Sequence, residues 1–248
     1  GKGIEQRRDK FARVGKALVI PAMLVAVAGI AVVMIGGVSL LPFLGLVLAV
    51  GLAWASFLPL RDRNLRRTPL PVWGMVIAHF GIAVALFGMS CESAFTGEKL
   101  VAVRTGDITE VGPWGVKLDA IEPVAGPNWT ALEARLLVRY GPDGKVTRML
   151  PQSRSFWAPP QQTSESALLT RWNGQLYAVL GGEGEDGRWQ LRLWWKPFVP
   201  LIWIGGLLIA LGGVFALIGR VKSDVRRLVA KGRIADRHEG EAQLGMRP

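Results

Sequence analysis

Cysteine, histidine and tyrosine are nearly absent from this chain: one Cys, two His and two Tyr in 248 residues. A single cysteine, Cys91, cannot close an internal disulfide, so any domain here is held by its core alone. No C-x-x-C-H occurs, which excludes a c-type cytochrome. With His79 and His238 as the only histidines, there is no Ser-His-Asp set and no metal-type Cys/His spacing, and no glycine motif shaped to cradle phosphate is found. Carboxylates are missing from the long apolar stretches, and a proton relay usually wants further buried acids.

What is present in quantity is apolar length. Half of the residues are hydrophobic, and four runs, at 17–37, 38–58, 71–90 and 197–219, each supply the roughly 20 residues that a helix needs to cross the hydrocarbon layer. They predict a membrane protein of four transmembrane α-helices, with a small extracytoplasmic all-β domain, barrel or sandwich, inserted between helices 3 and 4. The expected organisation is a basic tail over 1–16, three spans within 17–90, the β-domain at 91–196, the fourth span at 197–219 and a second basic tail over 220–248. A basic N-terminal region followed by an apolar run resembles a signal peptide, but the run is long and no convincing A-x-A site follows it, so it is expected to stay as an anchor.

The formal charge of +11 sets the orientation. Within 91–196 twelve acidic residues balance twelve basic ones, so the excess lies in the two tails and in "RDRNLRR". Those three segments fall on one side of a four-helix arrangement, and the positive-inside rule makes that side cytoplasmic. Both termini are therefore expected in the cytoplasm and 91–196 outside. Because the basic runs flank spans directly, the charge needs no nucleic-acid partner. Trp54 and Trp73 at one end of the spans, and Trp194, Trp195 and Trp203 at the other, suit aromatic belts.

The segment 91–196 alternates apolar with polar residues in "KLVAVRTGDI", "WGVKLDAIEPV", "ALEARLLVRYGPDGKVTRML", "QLYAVLGG" and "RWQLRLWW", which predicts about seven strands. "YGPDGKV" is a hairpin signal in which Gly144 is expected at positive φ. The polar, Pro-rich "PQSRSFWAPPQQTSESAL" at 151–168 is expected to be a long surface loop.

The third span, "WGMVIAHFGIAVALFGM", carries His79 near its middle. Gly74, Ala78, Gly81, Ala85 and Gly88 form a small-residue seam that lets another helix, or a flat group, come close. Gly205, Gly206, Gly212 and Gly213 offer a second such face. His79 lies beside the seam, with Met75, Ile82, Ala83 and Leu86 as neighbours one turn away. An ionisable group at that depth calls for a partner or a cavity. Haem-iron ligation, proton relay and a hydrogen bond to another helix are all open on these grounds.

"WGMVIAHFGIAVALFGM", "VRTGDI", "GPNW" and above all "WQLRLWWKPFVPLIWIGGLLIALGG", in this order and spacing from about Arg61 to Gly213, resemble the C-terminal portion of the CcmF family of cytochrome c-type biogenesis haem lyases. The resemblance implies several things that residue patterns alone do not. Two transmembrane histidines hold a b-type haem in that family, one within W-G-M-x-x-x-H-x-G, so His79 would be an axial ligand of the haem iron, with Gly74, Ala78 and Gly81 as a haem or helix packing face. The second axial ligand would come from outside this chain, since no other membrane histidine is present. The family's tryptophan-rich haem-handling segment and two outer histidines are also missing, and Trp194 and Trp195, at a strand end before Lys196, are not that segment. The chain is therefore expected to be a fragment or split subunit that works with an N-terminal CcmF portion.

The implied activity is haem-lyase attachment of a transient substrate haem to apocytochrome c through two thioether bonds at C-x-x-C-H. Partners would be the haem chaperone CcmE, apocytochrome c and its thiol-reducing and presenting subunits, in the bacterial cytoplasmic (inner) membrane with the β-domain periplasmic. A haem-free scaffold whose β-domain docks assembly partners, and a transporter component exporting haem, are the other classes. Four spans without an internal repeat or an interrupted helix pair argue against the transporter.

Overall fold

The computed structural model describes Met23, residues 39–61 and residues 63–244; the span expected at 17–37 lies outside the described residues apart from Met23. Among the described residues three helical stretches are long and apolar enough to cross a membrane: Leu40–Leu60, Leu70–Phe95 and Val199–Arg226. The first comprises helix α1, Leu40–Phe57, and a 3-10 turn, Leu58–Leu60, that begins where Pro59 removes a backbone donor. A second 3-10 turn, Leu65–Arg67, is capped by Asn64, whose side chain accepts from the Arg66 N–H at 3.1 Å.

Helix α2 spans Leu70–Phe95, with Pro71 in its first turn, where a missing N–H costs nothing. It runs past residue 90, where the apolar pattern alone would stop, because Ser90, Cys91 and Glu92 continue the helical hydrogen bonding. Thr96 closes it by donating its hydroxyl to the Glu92 carbonyl at 2.6 Å. Helix α3 spans Val199–Leu244 without a break, so the basic segment after Gly219 continues the last span as helix and is not a separate tail to that point.

Ten strands lie between α2 and α3 in chain order, more than the seven that alternation suggests: β1 Gly97–Val103, β2 Ile108–Val111, β3 Trp114–Ala125, β4 Trp129–Tyr140, β5 Thr147–Met149, β6 Gln152–Trp157, β7 Pro160–Glu165, β8 Ala167–Arg171, β9 Gly174–Glu183 and β10 Trp189–Pro197. They form two antiparallel sheets, β1-β10-β9-β8 and β2-β3-β4-β6-β7 with β5 also on β4. Alternate residues of both sheets meet in one core, chiefly Trp114, Val116, Leu118, Leu136, Val138, Leu176, Leu180, Leu191, Leu193 and Trp195. Two facing sheets make this a sandwich, which resolves the barrel-or-sandwich alternative.

Three local expectations fail for identifiable reasons. Residues 151–168 pair as the β6–β7 hairpin, from Gln152↔Glu165 to Trp157↔Pro160, and continue into β8. Both faces of that hairpin are polar, so no period-two apolar signal exists; Arg154 pairs with Glu165 at 3.0 Å and stacks over Trp129 at 4.3 Å. Between β4 and β5 the left-handed residue is Gly141 (φ 65°), not Gly144. Gly144 is required for another reason: an added Cβ would collide with the Tyr140 carbonyl. Trp195 is no belt residue, since it is only 8 % exposed and packs with Trp114 and Tyr140 at 6.3 and 6.2 Å inside the sandwich.

The first and last strands of the sandwich are neighbours: β1 pairs with β10, with Gly97 opposite Trp195. This pairing brings the end of α2 and the start of α3 to the same end of the sandwich. There Lys196 Nζ meets Glu92 Oε1 at 3.0 Å, and the Phe87 and Phe198 rings stand 6.2 Å apart.

Candidate functional site

The seam read from the sequence is used by the chain's own helices. A Cβ added to Gly74 would come within 2.5 Å of Ala216 N and Gly212 O, and one added to Gly81 within 2.7 Å of Gly205 O and 2.8 Å of Ile209 N. The reciprocal is equally tight: a Cβ added to Gly205 or Gly212 would lie 2.5 Å from the backbone nitrogen of Ala85 or Ala78 respectively. Gly74 and Gly81 on α2, and Gly205, Gly212 and Gly219 on α3, recur every seven residues, the spacing that keeps one face toward a partner along a left-handed crossing. Ala78 takes part through its Cβ. Gly206 and Gly213, grouped with the others by sequence, have nothing within 4 Å and lie off this contact.

His79 projects from another side of α2 and is exposed. Its Nδ1 lies 2.8 Å from the Met75 carbonyl oxygen. A carbonyl only accepts, so Nδ1 is the donor here, and in the neutral ring Nε2 keeps its lone pair. The ring borders a cavity of about 200 Å3 lined by Leu52, Ala55, Ser56 and Pro59 on one side and by Met75 and Val76 on the other. Ser56, 5 % exposed, turns its hydroxyl back to the Leu52 carbonyl at 2.6 Å, so the polar atom nearest this cleft is already satisfied. The cleft's α1 wall escaped sequence reasoning because Leu, Ala and Ser at those positions are ordinary residues of an apolar helix.

The chemistry available is that of one imidazole, held at Nδ1 by a backbone carbonyl, in an apolar cleft. Among the described residues no group of three or more His, Cys, Asp or Glu is gathered to hold a metal ion. A bare ion would thus find one ligand at His79, whereas a haem brings four nitrogens of its own and asks the protein only for axial ones. A single imidazole is a donor that such a group could use. His238 lies on the distal part of α3, in a stretch whose side chains are outside the described residues. Cys91 is buried in α2 and free.

Residues 94–197 match the family model described as the CcmF C-terminal beta-sandwich. The chain is 38 % identical over 159 residues to the cytochrome c-type biogenesis protein CycK of Bradyrhizobium diazoefficiens, covering 64 % of this chain and 24 % of that protein. It is 34 % identical over 180 residues to CcmF of Escherichia coli, covering 70 % and 27 %, and 28 % identical over 232 residues to CcmF of Haemophilus influenzae, covering 89 % and 36 %. The chain therefore spans between about a quarter and a third of the length of these relatives. A solved structure titled cytochrome c heme lyase CcmF shares the fold, with a TM-score of 0.67 at 21 % identity over 81 % of this chain and 34 % of that one.

Proposed function

Because the chain belongs to the CcmF family, we propose that it is the C-terminal part of a haem lyase of cytochrome c maturation, and that His79 is one axial ligand of a membrane-embedded b-type haem. The second axial ligand comes from outside these 248 residues, from the N-terminal CcmF portion or a split subunit. The observation that carries the reading is the His79 tautomer: the Met75 carbonyl holds Nδ1–H, so Nε2 offers its lone pair beside an apolar cleft. When bound, the haem supplies one-electron chemistry at a potential set by its ligands and burial.

The residues of this chain bind and orient; none is assigned an acid–base step. Met75 fixes the imidazole, and the α2–α3 glycine contact supports the helix that carries it. The β-sandwich lies on the periplasmic side of the inner membrane and both termini in the cytoplasm, in keeping with the neutral 91–196 segment and the basic flanks. There the sandwich stands near CcmE, apocytochrome c and its thiol-reducing and presenting subunits, where substrate haem is joined to C-x-x-C-H.

Co-purification with the N-terminal CcmF portion and an optical spectrum of the pair test this assignment. Wild type is expected to show a reduced b-type spectrum, and His79→Ala to lose it while the assembled pair survives. A His79→Ala pair with the full b-type signal would remove His79 as ligand and favour the haem-free scaffold.

A further inference from the structure

A second cavity, whose lining shares no residue with the His79 cleft, is built for a different chemistry. Helix α3 crosses the start of α2 at Gly219, where an added Cβ would strike the Pro71 ring. Beyond that crossing α3 continues, while the chain before α2 turns away through Pro69. A notch of about 590 Å3 opens between them. One wall is apolar, made by Pro69, Leu70 and Pro71; the other is Lys222, Ser223 and Arg226. Gly219, Lys222, Ser223 and Arg226 are spaced i, i+3, i+4 and i+7, so they share one face of α3. Both basic side chains are exposed, and among the described residues neither forms an ion pair.

We propose that this notch binds the phosphate of an anionic phospholipid. Lys222 and Arg226 supply two cations and Ser223 a hydroxyl on one side, a donor set matched to phosphate oxygens. The opposite wall has no polar side chain and suits the glycerol and upper acyl region. Position selects a lipid over a soluble phosphate. The notch sits where the apolar stretch of α3, Val199–Arg226, runs out. Basic pockets between helices at the end of a span are where lipid headgroups are recognised.

The test is native mass spectrometry of the full chain in detergent, exchanged with phosphatidylglycerol or with phosphatidylcholine of the same acyl chains. Wild type is expected to retain phosphatidylglycerol preferentially. Lys222→Gln together with Arg226→Gln should weaken that retention about 30-fold and leave phosphatidylcholine unchanged. Both residues are exposed, so folding is not at stake, and Lys222→Arg should keep the preference. Arg63→Gln with Arg66→Gln removes the same charge from the neighbouring loop and should change retention by no more than about threefold. Equal losses in the two double variants would mean diffuse surface attraction and overturn the site. Displacement of phosphatidylglycerol by millimolar inorganic phosphate would make it a soluble-phosphate site and overturn the lipid assignment, as would retention unaffected by the Lys222/Arg226 change.

Discussion

Alanine at Gly81 and at Gly206 should have opposite effects, although both glycines lie inside apolar helices. At Gly81 the new Cβ would sit 2.7 Å from Gly205 O and 2.8 Å from Ile209 N, both backbone atoms of α3 that no rotamer change can move. Ordinary contact needs roughly 3.5–4 Å, so the two helices must part by about 1 Å. Parting opens the packing along the whole contact, and such overpacking costs about 1–3 kcal/mol. At Gly206 nothing lies within 4 Å, so alanine should stabilise the helix by about 0.5–1 kcal/mol. Gly74, Gly205 and Gly212 should behave like Gly81, and Gly213 like Gly206. The two sets should therefore differ by about 1.5–4 kcal/mol in reversible unfolding followed by far-UV circular dichroism in detergent. If Gly81→Ala and Gly206→Ala fall within about 0.5 kcal/mol of one another, the glycine contact is not what joins α2 to α3.

The sandwich core and its surface charges give two more expectations. Leu136 is fully buried and lies opposite both Leu118 and Met149, so Leu136→Ala should cost about 2–5 kcal/mol of sandwich stability in a denaturant titration, with exposed Leu100→Ala as the near-neutral control. The hydrogen bond from the Arg188 side chain, and the second from its backbone, hold the Asp186 carboxyl below the usual carboxylate range. Its folded-state pKa being the lower one, whatever stability it adds is present above its unfolded pKa and fades as pH falls through the folded value. Arg188→Gln should raise the Asp186 midpoint in an NMR pH titration.

Much of the architecture is legible in the chain because it rests on local periodicity. Apolar runs report spans whatever they pack against, and the period-two pattern of "WGVKLDA" or "RWQLRLWW" reports a strand with one buried face. The β6–β7 hairpin is invisible to the same reasoning, since both of its faces are polar and its order comes from pairing with β4 and from Arg154. The helical continuation of α3 past Gly219 is hidden for a related reason: its residues turn basic, and charge describes solvation without specifying the backbone. By residue type Trp195 suits a belt, whereas its place in β10 turns it into the core.

The sequence by itself determined that apolar helices flank a β-domain, that His79 stands alone in a membrane helix, and that its motif is that of the CcmF family. Those features depend on composition and spacing along one segment. Which face of α2 meets α3, which of the paired glycines take part, and where Lys222 and Arg226 face an apolar wall were decided only by tertiary structure. Each is a relation between segments distant in the chain, and hard-core contact or hydrogen-bond geometry sets it only once both are in place.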